Sequence, residues 1–245
     1  MLLNADLGES WYDRRVGNDA GLMPYLDLCN VACGLHGGDA LTLQHTIPLA
    51  QRHGVRIGAH PSFPDRKHFG RRQMDLPDDR LYALLLYQVS ALAGMVSALA
   101  DASLYHVKPH GALYHYANRH RPAAESLVRV ALELNITYVM GPPRGALRSA
   151  AEVAGLGYLA EGFVDRRYEP SLELRSRQLP AACIEDVEAA ARQAYELAAH
   201  QRVLDTTGSY QTLRVDTLCL HGDHPGAAER ARRVRERLAD LIPPQ

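Results

Sequence analysis

The chain has 245 residues, 47% hydrophobic and 22% charged, with 27 basic against 28 acidic side chains and a formal net charge of −1. That balance argues against a nucleic-acid binder or an anionic-membrane binder. No signal-peptide profile follows Met1-Leu2-Leu3, and no apolar segment reads as long enough to span a bilayer.

In chain order, Leu2–Leu7 is predicted as a short apolar strand, with Asn4, Asp6, Glu9 and Ser10 where it gives way to a loop. A short helix within Gly17–Leu26 leads to a second strand, Leu28–Ala32, which breaks into a glycine-rich turn carrying His36 and Asp39. Helix Leu41–His53, capped by Asp39 or Thr42, precedes strand Val55–Ala59, which ends at His60-Pro61-Ser62. A polar loop then carries Asp65, His68, Gly70, Arg71 and Arg72, and a long helix opens at Asp78 or Asp79 and runs to about Ala100.

The stretch Leu104–Tyr116 starts as a strand that Pro109 and Gly111 stop, with a helical pattern predicted only after Arg121-Pro122. His106, Lys108 and His110 stand two apart, so their side chains leave one face of an extended backbone. Crowding and desolvation there predict a lowered lysine pKa and neutral imidazoles. Helix Ala123–Leu134, strand Thr137–Met140, helix Arg144–Ala154 and strand Gly157–Glu161 follow. Glu169–Ala182 is an irregular excursion; helix Ile184–His200, strand Arg214–Leu220 and helix Ala227–Leu241 close the chain.

Strand and helix alternate about seven times, which implies parallel strands with helical crossovers. Polar clusters follow nearly every strand: Asp6/Glu9, His36/Asp39, His60/Asp65, Lys108/His110, Glu161/Asp165/Arg166 and His221/Asp223. In a (β/α) barrel such points converge on one rim, where the chemistry lies. The expected architecture is therefore a distorted (β/α) barrel of seven parallel strands, forming one domain over residues 1–245 with the excursion near 169–182.

Several constellations could act on that rim. Asp6 with Glu9, His36 and His60 could ligate a divalent metal (Asp6, His36 and His60 being the core set) or could line a hydrogen-bonded pocket without one. Asp65, Arg71 and Arg72 could clamp a carboxylate or phosphate, or could form a solvated loop held by an ion pair. Asp165, Arg166 and Tyr168 present the same choice. His221 and Asp223 flank Gly222 as an orienter–base pair, and Asp223 could equally cap the final helix. Four cysteines, Cys29, Cys33, Cys183 and Cys219, lack metal-pair spacing and read as reduced thiols of a cytoplasmic protein. Neither a P-loop nor a dinucleotide fingerprint occurs, and there is no nucleophile elbow.

The segments Leu-Asn-Ala-Asp-Leu-Gly-Glu-Ser, Asn-Val-Ala-Cys-Gly-Leu-His-Gly-Gly-Asp, Gly-Ala-His-Pro-Ser-Phe-Pro-Asp, Phe-Gly-Arg-Arg, His-Val-Lys-Pro-His-Gly-Ala-Leu-Tyr and His-Gly-Asp-His-Pro resemble the LamB/YcsF family, from Leu3 to the last helix. The resemblance implies a barrel related to the glycoside hydrolase/deacetylase superfamily. It also implies one component of the ATP-dependent 5-oxoprolinase, a cyclic-amide hydrolase that opens 5-oxo-L-proline to L-glutamate with ATP, Mg2+ and two partner subunits, B and C. For that chemistry Asp6, Glu9, Lys108, His110, His221 and Asp223 are the catalytic candidates. Asn4, Asp39, Asp65, Arg71, Glu161, Asp165 and Arg166 are candidates for binding substrate or phosphate. Two alternatives stand beside it: a metal-dependent deacetylase-like or amidase-like hydrolase that needs no ATP, and a non-catalytic ligand-binding subunit.

Overall fold

The structure is a computed structural model, in which residues 1–222, 226–239 and 241 are described. Seven parallel strands close into a barrel: β1 (Leu2–Leu7), β2 (Leu28–Ala32), β3 (Arg56–His60), β4 (His106–Val107), β5 (Tyr138–Gly141), β6 (Gly157–Phe163) and β9 (Thr217–Leu220). Closure comes from β1, which pairs with β2 on one side and β9 on the other. The fold class expected from the alternation is thus the one found.

Around the strands run α1 (Asp19–Leu22), α2 (Ala40–Arg52), α3 (Asp78–Ala100), α4 (Gly111–Arg119), α5 (Arg121–Glu133), α6 (Ala146–Val153), α7 (Val187–His200) and α8 (Ala227–Ala239). The strands' outward residues, among them Leu3, Ala5, Leu7, Val31, Ile57, Val107, Val139 and Leu218, join the buried stripes of these helices in one apolar core. On α3 that stripe is Leu81, Leu85, Val89, Leu92 and Val96.

The inward residues alternate with these, two apart along each strand, and they change character from one end of the barrel to the other. At the amino-terminal end Leu28, Met140 and Leu159 form an apolar plug with Leu2, Tyr105 and Tyr138 against it. One step up is a hydrogen-bonded tier of neutral side chains. His106 Nε2 donates to Asn30 Oδ1 (2.6 Å), Asn30 Nδ2 to Asn4 Oδ1 (2.8 Å), and Asn4 Nδ2 to Thr217 Oγ1 (2.9 Å). Gly58 makes room for this tier, since a Cβ there would lie 2.2 Å from the His106 ring. Above it, at the carboxyl ends of the strands, the tier is charged.

Three features depart from the sequence expectation. Helix α4 starts at Gly111, ahead of Arg121-Pro122. Pro109 and Gly111 turn the chain rather than ending its order, and Leu113, Tyr114 and Ala117 are the buried face. Gly111 is at φ +54 with Gly70 O 2.7 Å from where its Cβ would be, so only glycine fits that turn. Second, an antiparallel pair, β7 (Arg202–Leu204) with β8 (Tyr210–Thr212), lies where no strand was read. Third, α3 is long and apolar enough to cross a membrane by length and composition, with an 18-residue window of mean hydropathy 1.8. Its charged residues, Asp78, Asp79 and Arg80, are confined to the first turn, and its place is in the ring of helices around the barrel.

Candidate active site

Lys108 follows β4 and is 2% exposed. Its Nζ lies 2.9 Å from Asp6 Oδ1, 2.8 Å from Glu161 Oε1 and 3.3 Å from Cys219 Sγ. These partners come from β1, β6 and β9, so only the closed barrel assembles them. Burial alone would lower the lysine's pKa, but the Asp6 and Glu161 carboxylates reverse that and hold it well above the ordinary value. The lowered lysine pKa expected from the sequence is therefore corrected: the carboxylates, not the neighbouring imidazoles, dominate its surroundings. Burial works against the Asp6 carboxylate too, and His60 and Lys108 overcome it, leaving its pKa well below the usual range. Burial pushes the Cys219 thiol far up, so it stays protonated beside the ammonium.

Beside this ionic centre, three imidazoles and a carboxylate converge. His36 Nε2 is 3.1 Å from Glu9 Oε1, and His110 Nδ1 is 3.0 Å from His60 Nε2 and 3.6 Å from Glu9 Oε1. The His36 and His110 rings stack with centroids 3.6 Å apart and planes 4° from parallel. All four side chains are buried. Burial drives the pKa values of His36 and His110 well below the ordinary imidazole value, in keeping with the neutral imidazoles expected. In the tier below, burial likewise takes His106 down to about 3.

His221 follows β9 and takes its partner from the segment just after β6. Its backbone N–H and Nδ1 are 2.7 and 2.8 Å from the two oxygens of Asp165, and its ring lies along that of Phe163, with centroids 5.6 Å apart. Burial opposes the Asp165 charge, but His221 outweighs it and the carboxyl is pulled far down. The orienter expected for His221 was Asp223, which lies outside the described residues; Asp165 takes that part.

A cleft of about 500 Å³ opens over these groups, with Asp6, Glu9, His60, Lys108, His110 and His221 in its wall. Arg71 and Arg166 also face it. A neighbouring cavity of about 270 Å³ reaches Glu161 past Tyr114 and Phe163, which the two spaces share. Of the other candidates, Asn4 sits in the neutral tier, beneath the cleft. Asp39 stands apart, accepting from Thr42 N (2.8 Å) and Tyr12 N (2.6 Å) as the cap of α2. Asp65 also stands apart, 2.6 Å from His68 Nδ1 and accepting from Arg72 N, because its loop turns back on itself. The Arg166 guanidinium donates to the carbonyls of Arg175 (2.6 Å) and Ala182 (3.4 Å), pinning the excursion along one side of the cleft.

Sequence reasoning missed Cys219, Asn30 and Tyr114. Cys219 stands two before His221 and so shares its inward direction; Asn30 is a polar residue inside an apolar strand, which is the signature of a lumen-facing position. Tyr114 was hidden with the unpredicted helix α4.

Comparison with known proteins places this site in context. The model of the LamB/YcsF family matches residues 1–241. A protein of Methylococcus capsulatus, named as the A subunit of 5-oxoprolinase, is 46% identical over 239 residues, covering 97% of this chain and 91% of that protein. A protein of the same name from Staphylococcus carnosus is 39% identical over 237 residues, covering 96% and 94%. Among solved structures, a lactam utilization protein from Thermus thermophilus superposes with a TM-score of 0.91 at 39% identity, covering 98% of this chain and 96% of that one.

Proposed function

We propose that the chain, which belongs to the LamB/YcsF family, serves as the A subunit of a 5-oxoprolinase. In that role it opens 5-oxo-L-proline to L-glutamate at the cleft over Lys108, with ATP, Mg2+ and two partner subunits, B and C. Near-full-length similarity to proteins of that name carries the assignment, and the cleft supplies groups the reaction needs. Four free thiols suit a reducing, cytoplasmic setting.

A five-membered lactam is a resonance-stabilised amide that water attacks slowly. Transfer of the γ-phosphoryl from ATP to the lactam oxygen releases ADP and leaves an activated imidate. Water then adds to its carbon and the carbon–nitrogen bond breaks with the nitrogen taking a proton, leaving an acyl phosphate that a second water cleaves to the side-chain carboxylate of glutamate and inorganic phosphate. Charge on the transferring phosphoryl and on the tetrahedral oxyanion calls for fixed cations. Lys108 is a buried ammonium kept charged by two carboxylates, and Arg71 and Arg166 lie along the same wall. Proton transfer calls for a base of fixed orientation, and His221 has one nitrogen committed to Asp165. Asp6, Glu9 and His110 complete the titratable wall.

The test is glutamate release from 5-oxo-L-proline, with ADP measured in parallel, for the chain alone and with its partners. Equal amounts of glutamate and ADP from the assembly are expected. The histidine–carboxylate cluster favours a second reading, an amidase that needs no nucleotide; glutamate release undiminished without ATP would establish that reading instead.

A further inference from the structure

The hydrogen bonds around His60 and His110 leave a conflict at the centre of the cluster. His60 Nδ1 is 2.8 Å from Lys108 O and His110 Nε2 is 2.9 Å from Phe69 O. A carbonyl oxygen only accepts, so both of those nitrogens carry the hydrogen. The inward nitrogens, His60 Nε2 and His110 Nδ1, face each other at 3.0 Å, and unless a further proton is taken up both present lone pairs to the same point. Asp6 Oδ2, a further acceptor, is 3.3 Å from the same His60 nitrogen, and Glu9 Oε1 is 3.6 Å from the His110 nitrogen. His36 adds to the conflict: if Nε2 donates to Glu9, then Nδ1 is left buried with no hydrogen-bond partner among the described residues.

Acceptors pressed together in a buried site repel unless something positive lies between them. We propose that Glu9, His36, His60 and His110 bind a divalent transition-metal ion, Zn2+ or a first-row neighbour, at the wall of the cleft. Three imidazoles and one carboxylate are a donor set for such ions rather than for Ca2+ or Mg2+. The spacing agrees. Metal–ligand distances of about 2.0–2.2 Å at tetrahedral angles put neighbouring donors roughly 3.3–3.5 Å apart. The contacts here are 3.0, 3.1 and 3.6 Å. Backbone carbonyls that receive the outer N–H of His60 and His110 are the orienting contacts that metal-bound histidines ordinarily have.

The set differs from the trio expected from the sequence: Glu9 and His110 converge with His36 and His60, whereas Asp6 Oδ1 accepts from Lys108 Nζ and Asn30 Nδ2. A second group, Asp6, Cys219 and His221, also comes together, but the Lys108 ammonium already lies against Asp6 and Cys219, and His221 is held by Asp165. The cluster alone carries the inference, which stands or falls apart from the lactam reaction.

Tag-free full-length protein is stripped with chelator and titrated with Zn2+ by calorimetry, and with Co2+ by visible absorption. One equivalent is expected, with the intense d–d bands of a four- or five-coordinate Co2+ site. His60→Ala with His110→Ala should weaken binding at least tenfold to a hundredfold, while His115→Ala, outside the cluster, leaves it unchanged. Metal content of protein purified without chelator gives a check that needs no variant. Less than a tenth of an equivalent, with no Co2+ spectrum, would mean that a shared proton holds His60 and His110 together and would overturn the proposal. So would binding that the double variant leaves intact.

Discussion

The two upper tiers of the barrel lumen use the same kinds of residue to opposite ends. In the neutral tier His106, Asn30, Asn4 and Thr217 form a chain in which each of these donors meets an acceptor, with His106 Nδ1 alone left without a partner among the described residues, and none of the four lines either cavity described above. In the tier above, two imidazole nitrogens lie 3.0 Å apart with carboxylate oxygens beside them, and one lysine is shared between two carboxylates. A histidine with its donors matched is part of the scaffold. Histidines whose acceptors are crowded together are the ones proposed above to take up a cation. The difference lies in the partners the rings meet, since the histidines are buried in both tiers.

Lys108→Met tests the upper tier most severely. It removes the charge on which the proposed phosphoryl and oxyanion stabilisation rests, a loss of roughly 10²–10³ in rate. It also leaves Asp6 and Glu161 buried without their cation, at a cost of about 3–5 kcal/mol. Adding Glu161→Gln should recover part of the melting temperature and none of the glutamate formation. Recovery of both would make Lys108 a scaffold residue and erase the contrast.

Asn30→Ala probes the neutral tier. It strips partners from Asn4, Asp6 and His106, and each buried group left unmatched costs about 1–3 kcal/mol. For a chain of this size each such group lowers the melting temperature by roughly 2–12 °C, with Zn2+ uptake kept. Loss of metal uptake with unchanged melting would merge the two tiers.

The smallest effect lies outside the lumen, at the turn between β7 and β8. Asp205 accepts from Thr207 and Gln211 side chains and from the backbone of Thr207 and Ser209, which lowers its pKa to about 2. The unfolded value is about 3.9, so folding favours the ionised form. The stabilisation is present above pH ~4 and is lost as pH falls from there through about 2. Asp205→Asn should flatten the acid limb of a melting-temperature profile over that range and leave neutral-pH activity alone. An unchanged acid limb would show that the turn does not sense its charge.

The barrel was legible because polar residues recur at strand ends against an otherwise apolar β-rich pattern, and five of the six catalytic candidates reach the cleft wall, Asp223 lying outside the described residues. Two kinds of information were not legible. Short elements were lost: β7 and β8 have three residues each, too few for a period to register, and α4 begins with residues that ordinarily stop a helix. Partnership between distant strands was lost as well. Nothing in the spacing says that Asp165 would hold His221, or that Lys108 would turn toward Glu161. Asp39 and Asp65 misled because a carboxylate that ties down a loop and one that binds a ligand look alike in sequence.

The ring closes where β1 meets β9, and that has a consequence for the order of folding. Lys108 is near the middle of the chain, with Asp6 102 residues before it and Cys219 111 residues after it. Contacts of such separation form late, after the loop entropy between them has been lost. As the chain emerges during synthesis, both carboxylate partners, Asp6 and Glu161, precede the final strand, which brings Cys219 and seals the lumen. The complete set of groups around the lysine is therefore expected only once the last strand is in place.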